Sequence, residues 1–176
     1  MRFTPLPLVG VALVAMEPHR DARGYFARSF CEDEFAAAGL PMRWPQTNVS
    51  VNAKAGTLRG MHFLRPPFEE PKLVRCVRGA ILDVVIDLRA ASATFRRHVA
   101  VPLDTRSGDA LFVPPGFAHG FQALADDTEV LYMMGASFEP AAQDGVRWDD
   151  SAFGIAWPLP VSAISPRDAG YPDFVG

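Results

Sequence analysis

The feature that most constrains this chain is a succession of short β-branched and aromatic segments, each closed by glycine, proline, aspartate or asparagine. "QTNVSVN", "AGTLRGMHFL", "KLVRCVRG", "AILDVVIDLR", "HVAVPLD", "DALFVPPGFAHGFQAL" and "EVLYMMGASF" follow one another between Gln46 and Phe138. Val, Ile, Phe and Tyr fit a pleated, half-buried surface, and the punctuating residues supply turns. Many short strands at regular spacing favour an all-β barrel or sandwich. "AILDVVIDLR" illustrates the choice. On a strand Asp83, Val85 and Asp87 share one face. The run Val84, Val85, Ile86 argues against the helix that acids four residues apart would also allow.

Upstream, "LVGVALVAM" reads as a strand, "DARG" as a turn and "YFARSF" as a second, alternating strand. "EDEFAAAGL" is the one convincing helix: Glu32 to Ala38 are helix formers and Gly39 is a stop. "MRFTPLPLVGVALVAM" superficially resembles a signal peptide, but Pro5 and Pro7 interrupt it, so it reads as an N-terminal strand. No apolar run reaches the ~18 residues of a membrane span. From about Arg147 the chain is rich in Pro and Asp and reads as an irregular tail with at most a short helix, anchored by Trp148 and Trp157.

With 176 residues, 49% of them hydrophobic, and no repeat or linker, a single domain spanning 1–176 is expected, with 147–176 as its tail. The net charge of -3, with both signs mixed, gives no basic run for a nucleic acid to bind. The two cysteines, Cys31 and Cys76, lack metal-ligand spacing and read as reduced thiols of a cytoplasmic protein.

Two segments carry chemistry. "GDALFVPPGFAHGF" places Gly108, Pro114, Gly116 and His119 in the G-x5-P-x-G-x2-H pattern of a cupin jelly roll. "TLRGMHFLRPPFEEPKLVRCVRG" surrounds His62 with Arg59 and Lys72. His62, His119 and Glu69 or Glu70 would make a three-ligand metal set in principle. Arg59 and Lys72 in the same barrel would repel the ion, so a metal-free site is expected. The same residues suit proton removal beside a carbonyl. Histidine titrates near neutrality and serves as base, and Lys72 or Arg59 offers fixed charge to an enolate oxygen. Tyr132, a phenol in an apolar strand, is a candidate acid for the opposite face. Asp83, Asp87 and Asp168 are candidates for the carboxylate that fixes the histidine tautomer. Arg75, Arg78 and Arg89 read as solvated charges at strand edges.

"DARGYFARSF", "QTNVS", "TLRGMHF", "KLVRCVRG", "DVVIDLR", "PPGFAHGF", "VLY", "WDD", "WP" and "ISPRD" together, in order from about residue 3 to Asp173, resemble the dTDP-4-dehydrorhamnose 3,5-epimerase family. The resemblance implies a homodimeric, metal-free and cofactor-free cupin barrel with short peripheral helices, its N-terminal strand exchanged with the partner. The substrate would be a nucleotide-linked 4-keto-6-deoxyhexose. His62 would be the base, Asp168 of "SPRD" its partner, Tyr132 the opposite-face acid and Lys72 the enolate's cation. Arg59 and His119 would hold the sugar and phosphate region, with Gln46, Asn48, Phe138, Gln143 and Arg167 also contacting substrate. Arg23 and Phe26 would reach the nucleotide across the dimer.

The chain departs from the family pattern at Leu64, where glutamine is usual, and at Met133, where lysine is usual. Phe138 replaces a hydroxyl-bearing aromatic, Gln143 replaces a glutamate, and "RPPFEEP" stands where a shorter polar loop is expected. Epimerisation at one centre, a sugar-nucleotide-binding cupin without turnover and a metal-dependent cupin isomerase are the alternatives.

Overall fold

A computed structural model describes residues 1–175. Its strands are β1 (Arg2–Pro5), β2 (Ala12–Ala15), β3 (His19–Asp21), β4 (Gly24–Phe26), β5 (Gln46–Asn52), β6 (Leu58–Leu64) and β7 (Lys72–Arg78). They continue as β8 (Ala80–Asp87), β9 (His98–Asp104), β10 (Ala110–Val113), β11 (Phe117–Ala123), β12 (Thr128–Met134) and β13 (Gln143–Gly145). Two short helices, α1 (Glu32–Ala37) and α2 (Pro166–Ala169), complete the set.

The strands form a six-stranded sheet, β1-β2-β10-β7-β12-β5, and a five-stranded sheet, β13-β6-β11-β8-β9. The two sheets face each other as the jelly roll that the turn pattern predicts. Alternating side chains from both fill the interior: Val74 and Cys76 of β7, Leu111 and Val113 of β10, and Val130 of β12 meet Ile81 and Val85 of β8 and Phe117 and Phe121 of β11.

The helix ends one residue earlier than the sequence indicates, with Ala38 as its cap and Gly39 in the left-handed region at φ 70°. Six residues cannot hold a helix in water unaided. Fully buried Phe35 docks it, its ring 5.2 Å from that of Phe3 and 4.8 Å from that of Phe30. Burial of one such ring contributes about 2–3 kcal/mol.

β1 is antiparallel to β2. Two expectations change. "YFARSF" is strand only as far as Phe26, where it closes the exposed β3–β4 hairpin. Arg75 is not a solvated edge charge. β7 lies between β10 and β12, so it is no edge, and Arg75 is buried beneath the segment before α1, donating from Nη2 to the Ser29 carbonyl at 3.0 Å. Arg89 is partly covered and paired with buried Asp87 at 2.7 Å. The tail packs Val146, Phe153 and Trp157 against Met61, Val84 and Ile86, on the outer side of the five-stranded sheet.

Candidate active site

The site begins with the meeting of β6 and β11. His62 and His119 are direct partners in this antiparallel pair, with a register shift between His119 and Phe121. Gly60 makes the approach possible. Its φ is +131°, and a Cβ there would stand 2.5 Å from the Gly120 Cα. A histidine from each strand is thus brought to one place.

Each histidine has its own carboxylate. Asp168 Oδ1 lies 2.8 Å from His62 Nε2, and Asp168 Oδ2 accepts from the Gly60 amide at 3.1 Å. Ser165 caps α2, accepting from the Asp168 amide at 3.0 Å, so the first turn of a four-residue helix aims the acid. Burial disfavours the Asp168 anion, but hydrogen bonds from His62 and the Gly60 amide outweigh it and hold the carboxyl below its usual range. A carboxylate at Nε2 fixes the proton on that nitrogen and leaves the other ring nitrogen as a lone pair. His119 Nε2 meets Asp83 Oδ1 at 2.6 Å, with both groups buried. Asp87 is spent elsewhere: it accepts from Arg89, Ser92 and Thr94 and is held far below the usual carboxylate range, burial notwithstanding. Of the three candidate carboxylates, Asp168 is the one on His62.

The opposite wall comes from the six-stranded sheet. Tyr132 of β12 sits between Asn48 of β5 and Val74 of β7. Its hydroxyl is 3.4 Å from Ser50 Oγ, and its ring meets His119 edge-on at 6.3 Å. Burial pushes the phenol well above its ordinary pKa. Lys72 opens β7, buried, with Nζ 3.3 Å from the His62 carbonyl oxygen and 3.4 Å from Glu70 Oε2. Burial lowers its pKa from 10.5, against the raising effect of Glu70.

A cavity of about 230 Å³ between the sheets is lined by Asn48, Arg59, His62, Lys72, His119 and Tyr132 among others. A second space of about 210 Å³ shares Asn48, His62 and Lys72 and extends the pocket to Gln46, Phe138, Gln143 and Arg167. Arg59 is oriented by Asn52 Oδ1 at 2.8 Å and the Val51 carbonyl at 3.1 Å. Arg167 donates to Gln143 Oε1 at 2.8 Å. Eleven of the thirteen residues named from the sequence therefore converge, Asp168 through its contact with His62. Arg23 and Phe26 do not: both are exposed on the hairpin, and Arg23 is paired with Asp21 at 2.6 Å.

Sequence reasoning missed Glu70 as the partner of Lys72, Ser50 as the partner of Tyr132, and Tyr171, whose ring stands edge-on to His62 at 6.3 Å. The pairing of Asp83 with His119 was legible in part. Once β8 and β11 are antiparallel with Phe121 opposite Asp83, His119 is the diagonal neighbour on the same face. Nothing local in "AGYPDF" marks Tyr171.

Comparison with known proteins bears on this geometry. A family model described as dTDP-4-dehydrorhamnose 3,5-epimerase matches residues 5–175. The dTDP-4-dehydrorhamnose 3,5-epimerase of Sinorhizobium fredii is 39% identical over 99% of this chain and 90% of its own length. The dTDP-4-dehydrorhamnose 3-epimerase of Streptomyces niveus is also 39% identical, over 96% of this chain and 81% of its own length. The crystal structure of the Bacillus anthracis dTDP-4-dehydrorhamnose 3,5-epimerase with TDP and PPi bound superposes with a TM-score of 0.95 at 33% identity, covering 98% of this chain and 99% of that one. With a family match over almost its whole length and the same barrel in three dimensions, the chain belongs to the dTDP-4-dehydrorhamnose 3,5-epimerase family.

Proposed function

We propose that the protein epimerises a nucleotide-linked 4-keto-6-deoxyhexose, dTDP-linked, at C3 and C5. The observation that carries this reading is the placement of His62 and Tyr132 on opposite sheets around one cavity. Inversion at carbon requires that a proton leave one face and another arrive on the opposite face, and opposed walls supply that directly.

The C–H bonds beside the C4 ketone are the acidic ones. The free ring nitrogen of His62 takes the proton, and the electron pair moves into an enolate whose charge gathers on the ketone oxygen. Asp168 stabilises the imidazolium that results. The buried Lys72 ammonium faces the developing oxyanion without reorganisation. Tyr132 delivers a proton to the other face. Its raised pKa keeps it protonated at neutral pH, and an enolate carbon is basic enough to take that proton. No cofactor enters this scheme, because the ketone itself supplies the acidity. Arg59, with its guanidinium braced by Asn52 and Val51, and Arg167 suit the pyrophosphate. His119, held by Asp83, Gln46, Asn48, Phe138 and Gln143 would line the sugar and its approach.

The working unit in this proposal is a homodimer of the single cupin domain. β5 is an edge strand with Val49 and Val51 exposed, 57% and 60%, and Tyr25 and Phe26 project from the hairpin. A second copy would cover these apolar groups and bring the partner's hairpin, with Arg23 and Phe26, to the nucleotide end of the cavity. In this reading the exchanged N-terminal segment is the one that carries the β3–β4 hairpin. No helix among the described residues is long and apolar enough to cross a membrane. Cys31 and Cys76 are free, and burial pushes the Cys76 thiol up to about 11, which suits a reducing cytoplasm.

A single-centre epimerase is the second reading, favoured by Phe138 at the rim where no hydroxyl is available and by the 3-epimerase among the relatives. Incubation with dTDP-4-keto-6-deoxyglucose in D2O, followed by NMR, separates the two. Deuterium at C3 and C5 with inversion of both supports double epimerisation, and label at one centre supports the second reading. Bound substrate without label would overturn both in favour of a binding protein.

A further inference from the structure

The loop "RPPFEEP" between β6 and β7 puts a second acid into the site. Glu70 lines the same space as His62, Gln143 and Arg167, and its side chain is only 12% exposed. Its carboxylate is 3.4 Å from Lys72 Nζ, whose other polar contact among the described residues is the His62 carbonyl oxygen at 3.3 Å. An ammonium has three N–H donors. Two anchors fix its orientation and leave the third donor to the cavity that Lys72 lines.

We propose that Glu70 is a positioning residue that keeps Lys72 protonated and aimed into the cavity, and so sets the alkaline limit of turnover. This rests on the role given to Lys72 in the proposed reaction.

The other charged and titratable groups around Lys72 do not substitute for Glu70. Asp83 of β8 also favours the Lys72 cation, but it is committed to His119 of β11 at 2.6 Å. Arg59 and His62 of β6 and Tyr132 of β12 bring no anion to the cavity. Asp144 of β13 is 3.7 Å from Arg65, and Arg167 is a cation. Burial strongly opposes a charge on Lys72, and Glu70 is the foremost group working against that effect. The sign follows. Lys72 already has its pKa below 10.5, and removal of the Glu70 charge lowers it further. Above the new value the neutral amine cannot stabilise an enolate, and the rate falls about tenfold per pH unit.

The chain contains only two lysines, Lys54 and Lys72, so Lys72 can be titrated directly. Protein carrying 13C at the lysine ε position gives two resonances, with exposed Lys54 as the internal reference. In Glu70→Gln, which keeps the shape, the Lys72 midpoint should fall by one pH unit or more, and the alkaline limb of kcat/KM should move down with it. Glu70→Asp, which keeps the charge, should restore both in part, and tests the idea even if the glutamine variant folds poorly. An unchanged Lys72 midpoint in Glu70→Gln overturns the proposal. A midpoint that falls while the limb stays fixed supports the pairing and overturns the assignment of Lys72 to the enolate.

Discussion

Replacing Asp168 by asparagine tests the His62 assignment most sharply, because the carboxylate serves two donors at once. One oxygen accepts from His62 Nε2 at 2.8 Å and the other from the Gly60 amide at 3.1 Å. Asparagine has a single acceptor. If its oxygen stays with the Gly60 N–H, its NH2 faces His62 and selects the tautomer that carries the proton on the ring nitrogen needed as base. If it flips, His62 keeps its tautomer but the Gly60 amide faces another donor, which costs about 1–3 kcal/mol at a buried position. The productive arrangement is disfavoured by that amount. Loss of the charge-assisted hydrogen bond to the imidazolium removes about a further 1.5–3 kcal/mol from the transition state. The sum, about 2.5–6 kcal/mol, corresponds to a fall in kcat of about 10²- to 10⁴-fold.

The loss should lie in kcat and in the rate of deuterium uptake from D2O. KM should change little, since Asp168 touches His62 and Gly60 rather than the pocket mouth. The Asp168→Asn protein should keep its circular dichroism spectrum, because the α2 cap runs through the Ser165 side chain and the Asp168 backbone, which the change leaves intact. A variant within threefold of the parent in kcat, with its fold intact, would refute the argument that Asp168 sets the tautomer of the base.

Tyr132→Phe should separate the two faces of the reaction. His62 can still remove and return a proton on its own side, so deuterium should still enter without inversion while epimerisation falls by about 10²-fold or more; inversion at an undiminished rate would remove Tyr132 as the acid. Sedimentation should show the parent as a dimer and Val51→Asp, on the exposed face of β5, as a monomer with a raised KM, because the partner's hairpin no longer completes the nucleotide end. A monomeric parent with full activity would count against the exchanged hairpin.

Much of the barrel was legible because its signals are local. Alternation and turn residues mark β5 to β12, and the Pro114–Gly116 turn announces the strand that carries His119. The errors arose where a residue's surroundings come from distant chain. Arg75 has the composition of an edge charge, yet β10 and β12 flank its strand and the segment around Ser29 covers it. Asp83, Asp87 and Asp168 are equivalent candidates by residue type. What distinguishes them is the order of strands: β8 delivers Asp83 to His119, the loop after β8 folds back to neutralise Asp87, and the tail, 106 residues on, brings Asp168 to His62. The resemblance to the family singles out Asp168, whereas spacing alone does not.

The same reasoning explains why the substrate-facing rim is the least legible part of the chain. His62, Lys72, His119 and Tyr132 sit on strands, where the two-residue repeat dictates which way a side chain points. Glu70 and Phe138 sit on connections, Gln143 opens the three-residue β13 and Arg167 lies in the four-residue α2, where a repeat is too short to be read from sequence. Their placement depends on pairings such as Arg167 with Gln143 and Arg65 with the Ala141 carbonyl. In the proposed reaction the proton-transfer groups His62 and Tyr132 are strand residues, whereas Glu70 and Phe138 reach the pocket from connections. Glu70 spans both cases: it lies in the connection between β6 and β7, yet its carboxylate reaches the lysine at the head of β7. Substitution in that loop is therefore expected to change the pH dependence of the reaction as well as its substrate range, coupling two properties that a barrel wall would otherwise keep apart.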